Sequence, residues 1–143
     1  MTAKEYLLQI EVMTAKISNK KQRLQEYKEL ALGCGGFDYS KERVQTSNLG
    51  GQIEQAIVRY VSLEQDILDD IVQLQQKKDQ ITNEIHRLND VRYIQILYRR
   101  YVECKKLKEV SEDMHYDYDY IRALHSRALQ EFENVNLHTQ SHI

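Results

Sequence analysis

No proline interrupts this chain, and all five of its glycines fall between Gly33 and Gly51. Proline breaks a helix by removing a donor and clashing with the preceding turn, and glycine weakens it through backbone entropy. A chain punctuated only once lacks the turns that a many-stranded fold requires. The expected class is therefore all-α, with long helical stretches on either side of residues 33–51. A length of 143 residues leaves room for one compact core, or for a small domain carrying an extended arm.

Apolar spacing gives the two stretches their form. From Ala3 to Leu32, the residues Tyr6, Ile10, Met13, Ile17, Leu24, Tyr27 and Ala31 recur at helical steps, with Lys20 as the one polar interruption. From Gln52 to Leu88, Ile53, Tyr60, Ile67, Leu74, Ile81 and Leu88 recur at sevens. Ile57, Ile71 and Ile85 form a second row, which Glu64 and Lys78 interrupt. Narrow stripes on helices of about 45 and 55 Å need partner helices. The simplest arrangement folds them into a long antiparallel coiled-coil hairpin, an arm covering residues 1–89. Residues 33–51 are expected to form its loop, longer than a hairpin needs and closed at the helix end by Gly33. Whether the arm only packs on itself or also dimerises the protein stays open at this point.

The remaining chain reads as a smaller helical module over residues 90–133. Asn89 and Asp90 cap a helix from Val91 to Glu103, with Ile94, Leu97, Tyr98, Tyr101 and Val102 on its apolar face and Arg92, Arg99 and Arg100 on the other. After Cys104-Lys105-Lys106, a short helix carries Leu107, Val110 and Met114 on one side. A polar break, His115-Tyr116-Asp117, precedes a second set at helical spacing: Ile121, Leu124, Ala128, Leu129 and Phe132. Asp117 suits an N-cap. Two short helices, a tight turn and a shared core are the parts of a helix-turn-helix, and equally of a plain helical hairpin. Residues 134–143 have no period and read as a tail.

The chemistry of the residues excludes several classes. Cys34 and Cys104 stand apart, with no paired-thiol motif and no histidine at ligand spacing, so neither a disulfide framework nor a zinc site is expected. Gly33-Cys34-Gly35-Gly36 lacks the lysine and hydroxyl residue of a phosphate loop. His86, His115 and His125 are scattered singly, and His138 and His142 have no carboxylate or thiol beside them. No nucleophile and base or pair of cleft carboxylates is legible. The expectation is no enzyme, no metal and no cofactor. With a mean hydropathy of −0.66 and no long apolar run, no membrane span is expected either, and a cytoplasmic protein is.

Residues 96–132, ILYRRYVECKKLKEVSEDMHYDYDYIRALHSRALQEF, resemble the region-four helix-turn-helix of bacterial sigma factors. The pieces that carry this are ILYRRYVE, LKEVSEDM and YIRALHSRALQEF. Together with the helical arm before them and IHRLNDVRYIQIL, the whole is similar to the RinA/ArpU-type late transcription regulators of phages and related streptococcal prophage proteins. The resemblance implies a C-terminal three-helix module that binds double-stranded DNA and regulates phage or prophage genes, activation of late genes above all. It departs from the sigma pattern at Tyr118 and Ala123, where that pattern often has arginine and glutamine, so a different sequence preference is implied.

Ile121, Leu124 and Phe132 supply the core of the second helix, which leaves Tyr118, Asp119, Arg122, Ala123, Ser126 and Arg127 for faces that can meet DNA. By position, the resemblance puts Tyr118, Asp119, Arg122 and Ala123 at the base-reading end. Arg122 can give guanine two hydrogen bonds, Asp119 can accept from a cytosine amino group and Ala123 can touch a thymine methyl. Arg99, Arg100, Lys105, Lys106, Lys108 and Arg127 are the candidates for phosphates. Residues 90–133 nevertheless carry eight basic side chains against nine acids, a balance of −1. The electrostatic grip of one copy is therefore expected to be modest, which favours a homodimer held through the arm. A second reading stays beside this one, in which the arm or the 33–51 loop docks on a host protein such as RNA polymerase.

Overall fold

The computed structural model describes residues 1–32 and 46–137, with side chains described for 1–32 and 51–137. Among these residues the secondary structure is entirely helical. In chain order the elements are α1 (Ala3–Leu7), α2 (Gln9–Ala31), α3 (Thr46–Ile85), α4 (Val91–Leu97), a π-helical turn (Tyr98–Val102), α5 (Leu107–Met114), α6 (Tyr118–Phe132) and a second π-helical turn (Glu133–Leu137). No helix among the described residues is long and apolar enough to cross a membrane. Cys34, His138 and His142 lie outside the described residues, as does most of the expected 33–51 loop. The end of that loop is helical instead: α3 begins at Thr46 and runs on through Gly50 and Gly51.

The chain forms two compact units, one from Met1–Thr14 with Leu74–Ile143 and the other from Ala15–Gln73. In the second, α2 and α3 run antiparallel. Ile17, Ala56 and Ile67 are buried between them, flanked by half-buried Leu24, Tyr27, Ile53, Tyr60 and Leu63. Lys20, the polar break in the α2 stripe, meets Asp70 at 2.6 Å, and this carboxylate holds the ammonium further in its charged form. Seven residues further along α2, the Tyr27 hydroxyl lies between the Arg23 and Arg59 guanidinium groups, which lower its pKa.

The seam differs from its expected register in one respect. Ile57 is 46% exposed and Glu64 is exposed, so in this stretch the second row of α3 lies not four residues after Ile53 and Tyr60 but three, at Ala56 and Leu63. Beyond Ile67 both Asp70 and Ile71 are half-buried, and Ile85 is fully buried as expected. Turning Asp70 inward supplies a counter-charge to Lys20, and Ala56 and Leu63 follow on the same face.

The first unit is built around α6, whose Ile121, Leu124, Ala128 and Phe132 are fully buried. α4 and α5 pack against α6, and so does α1. The N-terminal residues expected to begin the long α2 helix are separated from it at Leu8. They instead place Ala3 and Leu7 in this core and the Tyr6 ring 6.0 Å from Phe132. Helix also continues beyond α6 to Leu137, into the expected tail. Asn136 is buried there, donating to the Glu84 carbonyl at 3.1 Å and accepting from Arg87 at 3.0 Å.

The π-helical turn explains the burial of adjacent pairs. Ile96 and Leu97 are buried, and so are Tyr101 and Val102 five residues on. The wider turn brings positions five apart into line, whereas an ordinary α-turn would swing one pair toward solvent. Tyr101 meets His125 through a 2.7 Å hydrogen bond between its hydroxyl and Nε2, with the rings stacked at 5.6 Å. Burial lowers the His125 pKa to about 4, with Arg100 and Lys4 adding to the shift. The imidazole is therefore a neutral core group.

Two outcomes follow for stability. The space around a Cβ at Gly51 is open, so Gly51→Ala should stabilise the fold by about 0.5–1 kcal/mol through helix propensity and reduced unfolded-state entropy, read from the urea midpoint. His125 is neutral in the fold and protonated in the unfolded chain between pH 6.5 and about 4. Its contribution is thus complete above that window and lost as the pH falls through it, by about 2–3 kcal/mol. Urea titrations of the wild type should show this decline, and His125→Phe should remove the slope from that window.

Candidate functional site

The exposed side of the α5–α6 pair gathers most of the polar residues singled out from sequence. α5 forms because Leu107, Val110 and Met114 share one face. Its first turn is closed by the Glu109 carboxylate, which accepts from the Lys106 backbone N–H at 3.1 Å. Ser111 is 5% exposed, and its hydroxyl donates to the Lys108 carbonyl at 2.6 Å. A small residue is needed there because α6 packs across α5; Ser meets the need and satisfies its own polar atom.

His115 ends α5 in the left-handed conformation, at φ 61°. The His115 and Tyr116 N–H groups then bond back to the Glu112 and Ser111 carbonyls at 3.3 and 3.0 Å, a Schellman closure. Asp117 follows as the N-cap of α6, its carboxylate accepting from the Asp119 N–H at 3.1 Å. Only three residues separate the helices, and their hydrogen bonding sets where α6 starts.

Burying Ile121, Leu124, His125, Ala128 and Phe132 leaves Tyr118, Asp119, Arg122, Ala123, Ser126 and Arg127 all exposed on the other side of α6. The Arg122 side chain is 63% exposed and lies 4.0 Å from Asp119, with its guanidinium 5.8 Å from the Tyr118 ring centre. The Ser126 hydroxyl donates to the Arg122 carbonyl at 3.4 Å. These five candidates for base contact thus occupy one continuous surface with Arg127.

The candidates for phosphate contact are not brought together in the same way. Lys105 donates to Asp113 at 2.6 Å, and Arg99 approaches the same carboxylate oxygen at 3.7 Å. The Lys105 ammonium holds the Asp113 carboxyl below its usual range. Arg99 Nε is also buried without an acceptor among the described residues. Arg100 turns toward α2, 3.9 Å from Glu11 and over the Tyr101 ring, with its side chain 20% exposed. Lys106, Lys108 and Arg127 are exposed and carry no ion pair among the described residues.

Two further residues belong to this surface and went unassigned by spacing. Tyr120 accepts a hydrogen bond from Arg92 at 2.6 Å, and its ring meets Tyr116 edge to face at 5.1 Å. Asp90 in turn holds Arg92 at 3.0 Å. The four-residue step from Tyr116 to Tyr120 was the legible signal. Tyr116, Tyr118 and Tyr120, 40, 43 and 36% exposed, thus crowd the start of α6 beside Asp117 and Asp119. Among the described residues no group of three histidine, cysteine or carboxylate side chains is placed to hold a metal. The chain matches no family model, no curated protein and no solved structure.

Proposed function

We propose that the chain is a sequence-specific DNA-binding regulator of phage or prophage genes, a late-gene activator by its sequence resemblance. In this reading α5, the three-residue connection and α6 form a helix-turn-helix, and α6 enters the major groove. The observation that carries it is the clean division of α6. One stripe is buried, while Tyr118, Asp119, Arg122, Ala123 and Ser126 are exposed on the opposite face of a helix that starts at a tight turn. Lys106, Lys108 and Arg127 contribute the unpaired positive charge for phosphates. α2 and α3, as an antiparallel coiled-coil arm, hold two such modules together.

The second reading is docking on a host protein such as RNA polymerase. It is favoured by the three exposed tyrosines among acids at the start of α6, since tyrosine is enriched where proteins bind one another. The two readings separate in a DNA titration over salt. With three unpaired cations per module, the logarithm of affinity should fall with the logarithm of salt at a slope of about −3 per module. Asp113→Asn frees Arg99 of its ion pair, while Lys105 keeps Glu103 at 3.8 Å, and should tighten binding and steepen that slope by about 1. Arg122→Ala should lose about 1–3 kcal/mol of discrimination between sites with little change in melting temperature. An unchanged site preference in Arg122→Ala, together with salt-insensitive binding, would transfer the surface to the protein-docking reading.

A further inference from the structure

Within the second unit, one lateral face of α3 carries aliphatic side chains that no other described residue covers. Ile57, Val61, Leu68 and Val72 are 46, 58, 53 and 56% exposed, whereas Ile67, beside Leu68 in sequence, is 5% exposed against α2. The row is a separate face, centred roughly 110° around the helix from the seam, at about 100° per residue. Its repeat also differs. Ile57 and Leu68 are eleven residues apart, as are Val61 and Val72. An eleven-residue repeat nearly matches the turn of a straight helix, so the row runs along the axis for about 22 Å and does not wind around it.

We propose that this face is the interface between two copies of the chain, with their α3 helices antiparallel about a two-fold axis passing between Glu64 and Gln65. A two-fold contact requires a patch complementary to itself under reversal. The row has that property. In this register Ile57 lies opposite the second copy's Val72 and Val61 opposite the second copy's Leu68, and each pair recurs on the other side of the axis. Beyond the aliphatics, Glu54 falls opposite Gln75, an acid against an amide. A parallel pairing in register would instead set Glu54 against itself and cost like-charge repulsion.

One unfavourable approach remains in the antiparallel dimer, Glu64 beside its own copy at the axis, with Gln65 beside its copy on the other side. Eight half-exposed aliphatic side chains make a small contact, so the dimer is reversible. The interface gives the arm dimer its residues and direction, and it is independent of whether α6 reads DNA.

Sedimentation equilibrium of the full chain without DNA tests it. The mass should rise with concentration from 17.0 kDa toward twice that value. Leu68→Glu should raise the dissociation constant about 100-fold at unchanged helicity, and Glu64→Gln should lower it. With Cys34→Ser and Cys104→Ser as background, Gln65→Cys should oxidise to a linked dimer. Val72→Cys should not, because its two copies lie about 22 Å apart along the axis. A chain that stays monomeric, a Leu68→Glu variant that dimerises like the wild type, or Val72→Cys linking as readily as Gln65→Cys would each overturn the proposal. The last result would mean parallel helices, and the first would leave the row to a partner of different sequence.

Discussion

The buried stripe of α6 is the constraint on which the first unit depends. Ile121, Leu124, Ala128 and Phe132 are each completely shielded from solvent, and His125 beside them is 9% exposed. α5 has eight residues and α1 five, both far below the length at which a helix holds itself in water. They persist because docking on this stripe buries Val110 from one and Ala3 and Leu7 from the other. The outward residues of α6 are therefore set by subtraction. Every side chain that spacing reserved for a partner is one that the core does not need.

A chain with no glycine after Gly51 must turn by other means. It does so twice with ordinary residues in the left-handed region, Cys104 at φ 58° and His115 at φ 61°. Each conformation costs about 1–2 kcal/mol for a residue with a Cβ. Backbone hydrogen bonds offset the cost: Lys105 N–H reaches the Arg99 carbonyl and Tyr116 N–H the Ser111 carbonyl, both at 3.0 Å. The π-helical turn before Cys104 belongs to the same solution. It delivers Tyr101 and Val102 to the core and stops the chain pointing toward α5 without a proline or glycine.

Much of this was legible because helical spacing reports burial directly. The stripe Ile121, Leu124, Ala128, Phe132, the Asp90 and Asp117 caps and the heptad line from Ile53 to Leu88 follow from three-and-four steps and short polar side chains. The shift from Ile57 to Ala56 was not legible, since isoleucine fits a seam better than alanine until Lys20 is known to need Asp70. Nor was the role of the N-terminus. Tyr6 and Ile10 continue the α2 stripe in sequence, and nothing local reveals that Ala3 and Leu7 are buried or that the Tyr6 ring meets Phe132. At the candidate site, the exposed residues of α6 could be named from spacing, but the pairing of Arg99 and Lys105 with Asp113 could not. It joins the end of the π-helical turn to the far turn of α5, and only the three-dimensional path brings those groups together.

That pairing changes what the near-neutral charge of residues 90–133 means. Had the eight cations and nine acids been interspersed, any surface of the module would be weakly charged. Instead Asp113, Glu11 and Asp90 take up Lys105 and Arg99, Arg100, and Arg92, with Glu103 also 3.8 Å from Lys105, leaving Lys106, Lys108 and Arg127 without ion pairs among the described residues and Arg122 with Asp119 only 4.0 Å away. Long-range attraction toward a polyanion is then small, because the field of an ion pair falls off faster than that of a lone charge. In the proposed DNA reader, a surface of this kind would discriminate by contact more than by capture, since the Tyr118 ring, the Arg122 fork and the Ala123 methyl would act only once docked. For the proposed DNA reader, capture must then come from valency. Two weak modules on one dimer meet adjacent half-sites at high effective concentration, and a reader with little attraction for DNA in general is held poorly at wrong sites.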